Sequence, residues 1–90
     1  MKGELLYEKI EKKIGILDRM FTVPSFLELP QRNHKDFFNY LEANPEKRGT
    51  VREFHHVNIG GILLEVVPVD DLDIKSEEGE VLEKIEYKLK

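Results

Sequence analysis

Two adjacent glycines constrain this chain more than any other feature. Gly60-Gly61 lies between the β-prone runs VREFHHVNI and ILLEVVPVDD. A glycine pair at that point suits a two-residue primed turn, in which both central residues take positive φ. If the glycines are the turn, Ile59 faces Ile62, Val57 faces Leu64, His56 faces Glu65, His55 faces Val66 and Phe54 faces Val67. Side chains alternate along a strand. One face of the ribbon therefore carries Val51, His55, Val57, Ile59, Ile62, Leu64 and Val66, and is the core side. The other carries Arg52, Phe54, His56, Asn58, Leu63, Glu65, Val67 and Val69.

This register decides how the histidines read. His55 and His56 point to opposite faces, so one metal ion cannot take both without breaking the strand. His55 reads as a core-side histidine. His56 and Glu65 make a cross-strand pair of the kind that contributes about 0.2–1 kcal/mol. A catalytic zinc site wants three protein ligands and an open position, and His34 is the only other histidine. A hydrolase needs an activated nucleophile. Ser25, in VPSFLE, has no strand-turn-helix elbow around it, and Ser76 sits in an acidic run. The acidic stretch from Asp71 fails the EF-hand pattern, since Ser76 replaces the required glycine and Leu82 the closing glutamate.

Upstream, Leu6, Ile10, Ile14, Leu17 and Phe21 recur at helical spacing and predict an amphipathic helix over 4–21. Residues 22–32 read as an extended connection that Val23, Phe26, Leu27 and Leu29 pin to the core. A shorter helix is predicted over 34–43, with Asn33 as N-cap, Phe37, Tyr40 and Leu41 on its apolar face, and Pro45 as its stop. NPEKRG reads as a polar turn and DDLDIKSEEGE as an exposed acidic connection. Residues 81–89 fit either a helix or a third strand. The strand is the preferred reading, because an isolated hairpin is marginal on its own.

Ninety residues make a single domain over 1–90. The absence of cysteine excludes disulfides, thiolate metal ligands and a cysteine nucleophile. No apolar run approaches a membrane span of about 20 residues, and MKGELLYEKIEKK is too charged for a secretory signal, so a cytoplasmic protein is expected. A net charge of −4 disfavours a phosphate-backbone binder.

The fold class expected is α+β: an N-terminal helix and a short second helix on a small antiparallel sheet, built on the hairpin 50–69 with 81–89 as a third strand. The second face of the hairpin carries more apolar side chains than a solvated face should. That surplus leads to the functional expectation: a non-enzymatic protein–protein interaction module, self-associating or acting as a small subunit of a bacterial, archaeal or phage assembly. Its contacts are assigned to Phe54, Leu63, Val67 and Val69, with Arg52 at the rim. No catalytic residue, metal or cofactor is assigned. One alternative is a nucleic-acid-associated regulator using a small basic patch of Lys35, Lys47, Arg48 and Arg52. Another is a small metal-dependent enzyme using His56 and Glu65.

Overall fold

The computed structural model describes residues 2–48 and 56–86, with backbone alone at residues 2 and 48. The chain runs α1 (Lys2–Arg19), β1 (Phe26–Leu29), α2 (Gln31–Ala43), a single turn α3 (Pro45–Arg48), β2 (His56–Ile59), β3 (Ile62–Pro68), β4 (Asp73–Lys75) and β5 (Val81–Lys84). The strands form one mixed sheet of five in the order β2-β3-β1-β4-β5. The α+β class with two principal helices therefore holds, on a sheet larger than a hairpin plus one strand.

Helix α1 forms as its periodicity predicts: Leu6, Ile10, Ile14 and Leu17 are all buried. Its end differs. Phe21 is not a fifth core residue but lies beyond the helix, 96% exposed. The helix closes on itself there in a Schellman arrangement: the Thr22 N–H donates to the Leu17 carbonyl (2.9 Å) and the Phe21 N–H to the Asp18 carbonyl (3.0 Å). This closure requires a left-handed residue at position 21, and Phe21 takes φ 56°.

The connection 22–32 contains an unforeseen strand at the centre of the sheet. β1 runs parallel to β3, with Phe26 opposite Glu65 and Leu27 opposite Val66. It runs antiparallel to β4, with Leu27 opposite Ile74 and Glu28 opposite Asp73. Leu27 and Leu29 are fully buried, as pins to the core should be, whereas Val23 is exposed. Pro30, not Asn33, precedes the first turn of α2, and no side chain caps it. Asn33 lies inside the helix, buried, its N–H donating to the Pro30 carbonyl at 2.8 Å. Pro45 opens α3 after Asn44 has ended α2, so the expected polar turn is one helical turn. Proline tolerates that place because a first-turn N–H has no intrahelical partner to lose.

The hairpin register is the one the glycines dictate: Ile59 opposite Ile62, Val57 opposite Leu64, His56 opposite Glu65. Gly60 and Gly61 both take positive φ, 61° and 82°. The Asn58 side chain accepts from the Gly61 N–H at 3.1 Å and braces the turn. Pro68, at the end of β3, falls where the loss of an N–H does least harm. The acidic stretch is not wholly exposed: Asp73 and Ile74 lie in β4 and are buried. β5 takes the strand reading of the tail over Val81–Lys84, and the strand ends there rather than running on through 85 and 86. Residues 87–89 of that reading lie outside the described chain.

Both long helices cover one face of the sheet. Their apolar sides close over Leu27, Leu29, Val57, Ile59, Leu64, Val66 and Ile74 to form one core. The helices approach closely at Gly3. A Cβ there would sit 2.8 Å from the Tyr40 Cβ and would overlap the Asp36 carbonyl. Tyr7 fills the neighbouring space, with ring centroids 5.5 Å from Tyr40 and 6.4 Å from Phe37.

Candidate functional site: the open face of the sheet

Alternation places a second set of side chains on the face away from the helices. His56 and Asn58 come from β2, Leu63, Glu65 and Val67 from β3, Phe26 and Glu28 from β1, Asp73 and Lys75 from β4, and Lys84 from β5. Leu63 is 53% exposed. Phe26 and Val67 are half-buried.

The charges of this face are ordered by strand register. In one row His56 faces Glu65, their Nε2 and Oε1 atoms 3.9 Å apart. That is too long for a direct hydrogen bond. Lys75 reaches diagonally to Glu28 at 2.9 Å. This contact, chiefly as a hydrogen bond to the carboxylate, raises the Lys75 pKa above the ordinary lysine value. Lys84 faces Asp73 directly across the β4–β5 ladder at 3.6 Å. Asp73 is only 2% exposed and its Oδ1 accepts no hydrogen bond, and Lys84 supplies it a compensating charge. A one-residue slip of β4 would turn these pairs toward the core, so they help specify the register.

Ser25, Phe26, His56, Leu63, Glu65 and Glu77 line a shallow depression of about 380 Å³ on this face. Fold geometry thus brings Ser25 beside the His56–Glu65 pair, which the sequence order does not suggest. The Ser25 backbone is tied into the sheet, its N–H donating to Lys75 and its carbonyl accepting from Glu65. His34 belongs instead to the helix layer. Its Nε2 donates to the Leu29 carbonyl at 2.8 Å and its ring lies against Phe38. It is therefore remote from His56 by layer. Among the described residues no three His, Cys, Asp or Glu side chains converge as metal ligands.

Of the residues assigned to an interaction surface, Leu63 and Val67 lie on the open face. Val69 is half-buried just past the end of β3. Arg52 and Phe54 lie outside the described residues, as does His55. Of the basic patch, Lys35 is exposed on α2, and Lys47 holds its ammonium 5.6 Å above the Tyr7 ring. The Arg48 side chain and Arg52 lie outside the described residues. Sequence reading missed Phe26, Glu28, Asp73, Lys75 and Lys84 as members of the open face. The signal was present in FLEL, where Phe26 and Glu28 alternate with two core leucines.

No helix among the described residues is long and apolar enough to cross a membrane. Comparison with models of known protein families, with curated proteins and with solved structures finds no match to this chain.

Proposed function

We propose that this protein is a non-enzymatic interaction module that docks through the open face of its sheet onto another protein surface, a second copy of itself in the simplest case. The carrying observation is Leu63, a large aliphatic side chain 53% exposed on a sheet face, beside the half-buried Phe26 and Val67. The acids and bases around them are already matched in His56–Glu65, Lys75–Glu28 and Lys84–Asp73. What such a face offers a partner is apolar area ringed by polar groups, which is the anatomy of a docking surface. A cytoplasmic setting, and a place as a small subunit of a prokaryotic or phage assembly, fit a short cysteine-free chain.

Light scattering of the full chain across a concentration series tests the reading. Leu63→Asp combined with Val67→Ser should shift the wild-type oligomer to monomer while the circular dichroism spectrum and melting curve stay native. Leu64→Asp, on the core face, should unfold the chain instead. A wild-type chain that is monomeric at all concentrations and captures no protein from its host would refute the reading. So would a double variant that unfolds.

A further inference from the structure

A second feature lies between α1 and the end of β5. Lys9, Lys12, Lys13 and Ile16 of α1 meet Lys84, Ile85 and Glu86 across a concave cleft of about 350 Å³. On a helix of 3.6 residues per turn, positions 9, 12, 13 and 16 fall within an arc of about 100°. This stripe borders the core stripe of Leu6, Ile10, Ile14 and Leu17. The acids of the same helix, Glu4, Glu8, Glu11 and Asp18, occupy the opposite border. The polar surface of α1 is thus divided by sign, and its basic side borders the cleft.

We propose that this cleft binds a small soluble phosphate ester, its phosphates on Lys9, Lys12 and Lys13 and its body against Ile16. The lysines are oriented but not saturated. Lys9 donates to the Glu86 carbonyl at 3.0 Å, which uses one of its three N–H groups. Lys13 meets Glu83 at 3.8 Å, beyond hydrogen-bond length, so its donors still have strong bonds to make. To take Lys13 from Glu83 the ligand must outcompete a carboxylate, which favours a dianionic or more highly charged phosphate. The volume lies within the range of small-molecule sites, roughly 300–1,000 Å³. The rest of the molecule argues for a compact ligand over an extended polyanion. A net charge of −4 and the acidic border of α1 repel any strand or bilayer that reaches past the cleft. This site shares no lining residue with the open-face depression, so it stands or falls separately from the docking reading.

The test uses the full chain, with ADP and inorganic pyrophosphate as probes, followed by amide chemical shifts in low salt and in 150 mM salt. Saturable 1:1 binding of ADP, with shifts centred on residues 9–16 and 84–86, is the expected result. Lys9→Glu with Lys12→Glu, both exposed and outside the core, should weaken ADP at least tenfold with an unchanged melting curve. Lys35→Glu, on α2, should leave the affinity within twofold. Lys84 is kept, because its loss would strand the buried Asp73. Absence of saturable binding of either probe at 5 mM overturns the proposal. So does an equal loss on Lys35→Glu, which would mark general charge attraction. Binding of a single-stranded RNA 20-mer or of phosphatidylserine vesicles with none of ADP would overturn it as well.

Discussion

Replacing Phe21 with glycine should stabilise this protein, although it removes the largest exposed apolar side chain among the described residues. Phe21 occupies the left-handed position of the α1 cap at φ 56°, with its ring almost wholly in solvent. Left-handed backbone costs an L-residue about 1–2 kcal/mol. Glycine escapes that cost but surrenders about 0.5–1 kcal/mol through its greater freedom in the unfolded chain. The ring, 96% exposed, forfeits essentially no burial. The net gain is about 0.5–1 kcal/mol, which for a domain of this size raises the melting temperature by a few degrees. With a urea slope near 1 kcal/mol/M, the midpoint should rise by about 0.5–1 M. Phe21→Ala is the companion variant: it keeps the backbone strain and discards only the ring, so its midpoint should move little. Urea titration followed by circular dichroism at low protein concentration checks both. A glycine variant no more stable than wild type, together with an alanine variant that loses more than 1 kcal/mol, would show that the ring is buried in solution. The cap would then be held by packing, and the strain calculation would be wrong.

Other perturbations test the remaining parts of the structure. Gly3→Ala should cost about 1–3 kcal/mol in urea denaturation, because the new methyl group overlaps α2 at Asp36 and Tyr40. Leu64→Ala, at a fully buried position, should cost about 2–5 kcal/mol by the same measurement. Tyr7 supplies a pH dependence. Burial, with Glu11 nearby, pushes its phenol up from 10.0 to about 12. The folded state therefore holds this proton more tightly than the unfolded state. The stabilisation is fully present below pH 10 and is lost as pH rises through 12. Phenolate absorbance at 295 nm should show Tyr7 titrating late in the native protein, and Tyr7→Phe should remove that late step.

Some of this architecture is legible in the order of residues alone. The face of α1 follows from the spacing of Leu6, Ile10, Ile14 and Leu17, and the hairpin register from Gly60-Gly61. Both are local: a helix repeats every 3.6 residues, and a two-residue turn fixes which strand positions meet. The apolar content of the hairpin's second face is likewise visible in Leu63 and Val67 before any coordinates. Phe21 shows where locality misleads. It continues the helical spacing, but the chain stops the helix two residues earlier and turns the ring outward.

The rest is decided by tertiary structure. FLEL is too short to display a period. It becomes the central strand only because β3 and β4 offer it partners about 40 and 46 residues away, one of them parallel and specified by no turn. The same holds for the candidate sites. Ser25 comes to lie beside His56 and Glu65 through the β1–β3 pairing. Lys9 meets Glu86 across 77 residues of chain, where α1 crosses the end of β5. Periodicity and turn chemistry are properties of neighbouring residues and can be read in order. The pairing of distant strands, and the clefts it creates, depends on how the whole core closes.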